Sequence, residues 1–86
     1  MKKIQAIEIV EARILNDYVV ELVFSDLRKG TVNLRGFLGH GIFKSLLNKS
    51  HFRKMFVDGV LGTICWPNGA DIAPDTLYYE AFSSDK

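Results

Sequence analysis

The sequence predicts an α+β fold in which an antiparallel sheet of four to five strands packs against two principal helices. Apolar and polar residues alternate along three successive segments in the first half of the chain, as they do in half-buried strands. The links between these segments are short, so the strands pair as an antiparallel meander and not through parallel crossovers. Residues 42–48 and 74–82 instead place apolar side chains on one helical face and are the two predicted helices.

The three strands of the meander are predicted over residues 3–14, 18–25 and 31–35. The second is the most regular, because alternate residues from Tyr18 to Phe24 are apolar or aromatic. The first strand changes parity once, since Ile7 and Ile9 fall on one face while Val10 and Ile14 fall on the other. One extra residue restores the phase of a strand, so we expect a β-bulge near Ile9 and Val10.

A hairpin completes the predicted sheet, with strands over residues 55–57 and 60–66. Asp58-Gly59 separates these apolar runs and is typical of a two-residue hairpin turn. Pro67 ends the second strand because proline fixes φ and has no N–H to donate. Pro67-Asn68-Gly69 then predicts a tight turn, and Pro74 suits the first turn of the last helix.

The bulk properties favour a single globular domain over residues 1–86. The chain is 48% hydrophobic and 24% charged, which is ordinary globular composition, and its net charge of +1 gives no electrostatic case for a nucleic-acid partner. One cysteine cannot form an intramolecular disulfide, and neither a signal peptide nor an apolar run of about 18 residues is evident. We therefore expect a soluble, reduced, cytoplasmic protein without a cofactor.

The most distinctive stretch is WPNGADIAPDTLY, over residues 66–78. It resembles the signature of the Domain of Unknown Function 2442 (DUF2442) family, small bacterial domains without an established activity. Upstream segments are similar to the rest of that family's pattern in the same order: residues 24–26, 33–34, 41–46 and 52–58. One departure is that the family usually turns at an Asp-Gly pair, whereas here Leu27-Arg28-Lys29 separates Asp26 from Gly30, which leaves the type of that turn open.

The resemblance implies a protein partner. Members of the family are often encoded beside another small protein, in an arrangement similar to a toxin–antitoxin pair, and some carry a helix-turn-helix domain that is not expected in these 86 residues. The leading hypothesis is a non-enzymatic interaction module with Trp66, Asn68 and Asp71 near the contact. Six phenylalanines, three tyrosines and one tryptophan in a small domain favour an interface as well as a core.

Trp66 has two interpretations. As a core residue it would pack against the last helix, with Leu77 and Tyr78 as neighbours, and its indole N–H would need an acceptor. As a surface residue it would anchor an interface. The core is favoured because large aromatic residues are usually mostly buried, and a half-buried ring beneath an exposed turn would serve both purposes.

The alternative function is a small-ligand site or weak enzyme built from Asp71, Asp75, Tyr78 and His40. Paired carboxylates can perform acid–base chemistry when a cleft shifts their pKa values. Aspartate also favours turns and helix starts for purely structural reasons, so this interpretation ranks below the interaction module. It requires the four side chains to meet in one cleft.

Other candidate sites have simpler structural explanations. Cys65 lies in an apolar strand and is predicted to be a buried thiol and not a nucleophile. His40 and His51 lack the spacing of zinc ligands, so no metal site is expected. The glycines of residues 36–41 lack the lysine and spacing of phosphate-binding loops and predict a flexible link.

Direct nucleic-acid binding and self-association are the remaining hypotheses. The first requires several basic side chains to converge on one face, and it ranks last because the net charge is near zero. The second would use a sheet edge or an aromatic patch, and the sequence leaves a homodimer open. The basic residues concerned are Lys2, Lys3, Arg28, Lys29, Arg35, Lys44, Lys49, Arg53 and Lys54.

Overall fold

The computed structural model describes residues 6–83 and has five strands arranged in two antiparallel sheets. The first sheet has the order β1-β2-β3, and the second pairs β4 with β5. The predicted α+β class and five strands are confirmed, but the prediction of one continuous sheet is wrong. The strands are β1 (Ile9–Asn16), β2 (Val19–Phe24), β3 (Lys29–Asn33), β4 (Phe56–Asp58) and β5 (Thr63–Cys65). The helices are two 3-10 helices (Leu34–Phe37 and Gly41–Leu47), α1 (Lys49–Phe52) and α2 (Pro74–Phe82).

The two sheets meet at the beginning of β1 without sharing a ladder. A backbone hydrogen bond from Ile9 N to Gly62 O, 2.8 Å long, links them there. At the same place the pairing of β1 with β2 shifts between Ile9 and Glu11, so the predicted β-bulge is confirmed. The irregular pairing falls where the second sheet approaches β1, and the two ladders stay separate there. The predicted strand residues 3–5 lie outside the described part of the chain.

The hairpin between β4 and β5 has a longer loop than the sequence predicts. Asp58 is the last residue of β4 and β5 begins at Thr63, so residues 59–62 form the loop in place of a two-residue turn. Asp58 Oδ1 accepts hydrogen bonds from the backbone N–H groups of Val60 (2.8 Å) and Leu61 (3.1 Å). Because this carboxylate satisfies two loop donors, the wider turn is stable and β5 starts three residues later than predicted.

The predicted helix over residues 42–48 is present as the 3-10 helix Gly41–Leu47. It does not continue into α1, because Asn48 has extended backbone angles (φ −73°, ψ 117°) and its side chain accepts a hydrogen bond from Ser50 N. Asparagine therefore ends one helix and caps the next. The Tyr18 hydroxyl donates to the carbonyl of Leu47, which holds this helical segment against the first sheet.

The core lies between the first sheet, the helical segments and α2. Strand β2 alternates as predicted, with Val20, Leu22 and Phe24 completely buried. Each such side chain contributes about 1.5–3 kcal/mol by leaving water. The other core members come from most of the remaining elements and connections: Ile9, Val32, Leu34, Leu38, Leu46, Phe52, Ile64, Trp66, Ala70, Ile72 and Leu77.

Helix α2 lies across β3 and begins at Pro74, as predicted. The close approach is possible because Gly30 of β3 has no side chain. A Cβ at this position would lie 2.8 Å from Cβ of Ala81 and 3.0 Å from the ring of Phe82. Gly30 therefore sets the depth at which α2 packs on the sheet.

Within residues 6–83, the helices are too short or too polar to span a bilayer.

Candidate functional site

A surface depression lies where the turn after β5 meets the 3-10 helix Gly41–Leu47 and α1. Its volume is about 220 Å³. Seven residues line the depression. Two of them are buried and form an apolar wall, whereas the other five are exposed at the rim. The wall is Leu46 and Trp66, and the rim is Ser45, His51, Lys54, Pro67 and Asn68. We refer to these seven residues as the Trp66 depression.

Trp66 is a core residue, as the favoured interpretation predicts. Only 2% of its surface is exposed, and its indole N–H donates a 2.9 Å hydrogen bond to the carbonyl of Phe52. Its aromatic neighbour is also Phe52, with ring centroids 5.7 Å apart. The expected aromatic partner Tyr78 packs instead on Phe24, 5.0 Å away. Trp66 therefore joins β5 to α1 and presents only its margin to the depression.

Asn68 ties the turn to the neighbouring 3-10 helix. Its Nδ2 donates to the carbonyl of Ile42 and to Oγ of Ser45, both at 3.1 Å, while its Oδ1 accepts from Ala70 N at 2.9 Å. Gly69 follows with φ +93°, a left-handed conformation that glycine adopts without steric cost. The amide of Asn68 is thus already engaged within the chain, and its main effect is to hold the rim rigid.

Replacing Asn68 with alanine is expected to lower the free energy of unfolding by about 1–2 kcal/mol, because three partly exposed hydrogen bonds are lost. Asn68→Asp tests the two amide donors, since it keeps the Oδ1 acceptor for Ala70 N but turns a carboxylate oxygen toward the Ile42 carbonyl. Its loss should be at least as large as that of the alanine variant. Urea titration followed by circular dichroism measures both. Wild-type stability in Asn68→Ala would contradict this role.

The other candidate side chains lie outside the Trp66 depression. Asp71 is exposed and its backbone forms an isolated bridge with Cys65. Asp75 Oδ1 accepts from Thr76 N at the start of α2, which is a structural role expected for aspartate there. His40 is an exposed residue that precedes the 3-10 helix Gly41–Leu47 without capping it. Of the partner-binding candidates, the structure brings Trp66 and Asn68 together at the depression but not Asp71. His51 and Lys54, considered above for a metal and for nucleic acid, also line it.

Tyr78 belongs to a polar cluster that holds the β2–β3 turn against α2. Its hydroxyl donates to Asp26 Oδ2 (2.6 Å) and accepts from Arg28 Nη1 (3.1 Å). The guanidinium of Arg28 also lies 3.8 Å from the centroid of the Phe82 ring, a close cation–π contact. Leu27 adopts φ +73°, the left-handed position that an Asp-Gly turn would give to glycine. The cluster therefore supports a turn that the local sequence disfavours.

The Tyr78–Asp26 hydrogen bond should make part of the stability dependent on pH. The hydroxyl of Tyr78, and then the backbone N–H of Arg28, hold the pKa of Asp26 below its ordinary value. A carboxyl whose pKa is lowered by folding stabilises the protein above its unfolded pKa of about 3.9, and this contribution disappears as pH falls through the folded pKa. The stability difference between wild type and Tyr78→Phe should therefore be largest at neutral pH and shrink below about pH 4.

Chemical denaturation at several pH values measures this difference. Tyr79→Phe is the control, because Tyr79 is 64% exposed and its variant should track wild type throughout. Acid will also weaken the pairs Lys49–Asp17 and Arg13–Glu21, whose carboxyl pKa values are likewise lowered by those cations. That loss is common to all variants and cancels in the difference. If the loss of stability caused by Tyr78→Phe stayed constant at acidic pH, the prediction would be contradicted.

Cys65 is buried, as predicted. It is 5% exposed, and its Sγ lies 3.7 Å from the carbonyl of Thr63. Burial raises the pKa of the thiol, with further contributions from Asp58 and Asp71, so the nucleophilic thiolate is disfavoured. Among residues 6–83, no three side chains of histidine, cysteine, aspartate or glutamate come together in a way that could hold a metal ion.

Positive charge is concentrated beside the Trp66 depression. Residues 44–54 contain four of the chain's 11 lysine and arginine residues and none of its ten aspartate and glutamate residues. Lys49 pairs with Asp17 at 2.6 Å. In the part of the chain that the structure describes, Lys54 has no carboxylate at ion-pair distance. The cationic rim of the depression is thus available to an external anion.

The remaining basic candidates lie apart from this segment or outside the described residues. Arg28 is engaged with Tyr78 and Phe82. Lys29 borders a second depression that also contains two glutamates, Glu11 and Glu21. Lys2 and Lys3 fall outside residues 6–83. Arg28 and Lys29 therefore lie close to acidic side chains, in contrast to the basic residues of segment 44–54.

These features define a small α+β domain whose most distinctive turn borders an apolar, cation-rimmed depression. The chain belongs to the DUF2442 family: the pattern of the family described as "Protein of unknown function (DUF2442)" matches residues 9–83. The membership expected from the closing motif and the upstream segments is confirmed. No curated protein and no solved structure matches the chain.

Proposed function

We propose that this protein is a non-enzymatic protein-interaction module that binds a small protein partner at the Trp66 depression. The observation that supports it is a rigid turn beside an apolar wall that opens to solvent. The volume of about 220 Å³ is below the roughly 300 Å³ at which pockets for drug-sized ligands begin. It suits the insertion of a side chain from another protein better than the enclosure of a metabolite.

The surroundings of the depression also suit an interface. Ile42 is 49% exposed, and its Cδ1 would lie 3.7 Å from a Cβ placed on Gly69, so it stands next to the turn. Protein interfaces combine a desolvated apolar centre with a polar rim, which is the arrangement of Trp66, Leu46 and Ile42 beside Ser45 and Lys54. Because Trp66 and Leu46 are each 2% exposed, the apolar surface that a partner would cover belongs mainly to Ile42 and Pro67.

The lining residues offer little for catalysis. The lining contains His51, Lys54 and the Ser45 hydroxyl but no carboxylate or thiol, and both His51 Nδ1 and Ser45 Oγ are already engaged by hydrogen bonds within the chain. The candidate carboxylates Asp71 and Asp75 are not among them. These facts favour the interaction module over the alternative of a small-ligand-binding domain or weak enzyme.

The family resemblance extends the proposal to a two-protein pair. In this form the chain is the antitoxin-like member, and its partner is a small protein encoded beside it. The support for this step is the resemblance of the closing motif and upstream segments to the family pattern, together with the interface-like depression that this motif borders.

Site-specific photo-crosslinking in the native host tests the proposal. A photoreactive residue at Pro67, on the rim, should capture one small protein, whereas the same residue at Thr76, exposed on α2, should not. The captured protein, once purified, should bind the Ile42→Asp variant about tenfold more weakly than the wild-type chain. The control variant Tyr79→Asp should bind it as tightly as wild type does. Equal capture at both positions, or no capture, would remove the proposal.

A further inference from the structure

The Trp66 depression combines two kinds of surface that one partner segment must satisfy. Its inner wall is apolar, formed by Leu46 and Trp66, each 2% exposed, with Pro67 at the edge. Its outer rim carries Lys54 and the imidazole of His51. An apolar wall selects an apolar side chain, while a cationic rim selects negative charge beside it.

The ring of His51 is oriented by the chain itself. Its Nδ1 lies 3.2 Å from the carbonyl of Ser45. A carbonyl can only accept, so Nδ1 carries the proton of this hydrogen bond and Nε2 is left for another partner. In the neutral ring Nε2 is then an acceptor, suited to an N–H donor of an incoming peptide, and Lys54 supplies the positive charge of the rim.

Residues next to the rim in the sequence add to its positive charge. Lys44 and Arg53 adjoin the lining residues Ser45 and Lys54 in sequence, and both are exposed. The ion pairs formed within residues 6–83 are Arg13–Glu21 and Lys49–Asp17, so Lys44, Arg53 and Lys54 have no carboxylate partner in that part of the chain. Lys54 on the rim, together with these cations of the adjoining segment, attracts a negatively charged segment and steers its approach.

Resting on the interaction function proposed above, we infer that the depression binds an acidic peptide segment of the partner. One leucine-sized apolar side chain of that segment enters between Leu46, Trp66 and Pro67. Aspartate or glutamate residues on either side of it face Lys54 and the basic surface of residues 44–54. The apolar side chain supplies the anchor, and the carboxylates supply selectivity and rapid association.

A nucleic acid fits this surface less well. Single strands bind by stacking bases on exposed aromatic faces along a basic groove. Trp66 is 2% exposed and its ring is packed on Phe52, so it offers no face for a base. The rim also provides few cations compared with the number of phosphates that a tight nucleic-acid complex neutralises.

Titration with short synthetic peptides tests the inference, because the chain contains a single tryptophan that lies in the wall of the depression. The probe is acetylated Asp-Glu-Leu-Asp-Glu, and the readouts are Trp66 fluorescence and the NMR shift of its indole N–H. We expect a saturable change with a dissociation constant of about 0.1–1 mM, as suits one anchor and a few charge contacts. The serine-centred peptide Asp-Glu-Ser-Asp-Glu should bind about tenfold more weakly, because it lacks the anchor.

Charge variants distinguish a specific contact with the rim from general electrostatic attraction between the peptide and the protein. Lys54→Glu should weaken the leucine peptide by about tenfold, the effect of losing one charge-assisted contact. Lys29→Glu makes the same change of net charge on β3, away from the depression, and should have little effect at moderate salt. Circular dichroism confirms that both variants are folded. Equal weakening by the two variants would overturn the inference.

Two further outcomes also overturn it. One is binding of the cationic peptide Lys-Arg-Leu-Lys-Arg as tightly as the acidic one. The other is tighter binding of an oligothymidylate, which would assign the basic segment to nucleic acid. If the acidic peptide does not bind but the crosslinker at Pro67 captures one specific protein, this inference is refuted and the interaction function remains. Absence of capture together with peptide binding would refute the proposed function instead.

Discussion

Trp66→Ala is expected to lower the free energy of unfolding by about 3–5 kcal/mol, the usual loss for a large buried aromatic side chain. The substitution removes a side chain that is 2% exposed, its packing on Phe52, and the hydrogen bond to the Phe52 carbonyl. Domains typically have stabilities of about 5–15 kcal/mol, and small ones lie at the lower end, so much of the variant should be unfolded at 37 °C. Far-UV circular dichroism in urea measures the effect without relying on the deleted fluorophore.

Two controls separate the components of this loss. Trp66→Phe keeps an aromatic ring but loses the indole N–H, so it should cost about 1–3 kcal/mol less than the alanine variant. Tyr79→Ala removes an aromatic side chain that is 64% exposed and should change the stability by about 0.5 kcal/mol or less. If Trp66→Ala were as stable as Tyr79→Ala, Trp66 would not have the structural role assigned to it.

The second large effect is expected at Gly30. Gly30→Ala would place Cβ 2.8 Å from Cβ of Ala81, an atom bonded directly to the α2 backbone that cannot rotate away. Overpacking of this kind costs about 1–3 kcal/mol, and the upper part of that range applies because neither β3 nor α2 can shift without disturbing the core. The midpoint of urea unfolding should fall accordingly. Gly39→Ala is the matched control, since a Cβ there meets nothing within 4 Å.

A double-mutant cycle locates the clash. Ala81→Gly alone should cost about 1 kcal/mol through its lower helix propensity. Combined with Gly30→Ala it should recover part of the loss, giving a favourable coupling of about 0.5–3 kcal/mol between the two positions. Additive effects of the two substitutions would show that the cost at Gly30 does not come from the contact with Ala81.

Local features of the sequence predicted several elements correctly. The alternation from Tyr18 to Phe24 identified the central strand, whose buried face is Val20, Leu22 and Phe24. The parity change near Ile9 identified the bulge. Pro74 identified the start of α2. Each of these signals reflects a constraint within a few residues of the chain, such as a repeat of period two or a missing N–H.

The errors arose where side chains or distant segments override a local preference. Asp58-Gly59 is typical of a two-residue turn, yet the Asp58 carboxylate accepts from two loop N–H groups and stabilises a longer loop. The single sheet was predicted as a meander completed by a hairpin, but β4 and β5 approach β1 only at its Ile9 end, where a bulge lies. The helix predicted over residues 42–48 ends at Leu47, because Asn48 has extended backbone angles and caps α1.

The candidate site likewise has a part that was predicted from the sequence and a part that was not. Trp66 and Asn68 were identified from the closing motif, whereas Ser45, Leu46, His51 and Lys54 were not linked to it. The basic run over residues 44–54 was visible in the sequence, but it was considered only for nucleic acid. Its position beside Trp66 depends on long-range hydrogen bonds from Trp66 to Phe52 and from Asn68 to Ile42.

By itself, the amino-acid sequence determined the class of this domain, its buried central strand, its closing turn and helix, and its membership of the DUF2442 family. Packing between distant segments divided the strands into two sheets and brought the closing turn against a basic helical segment at a depression. Periodicity and turn chemistry act over neighbouring residues, whereas the depression forms where packing joins segments about 20 residues apart.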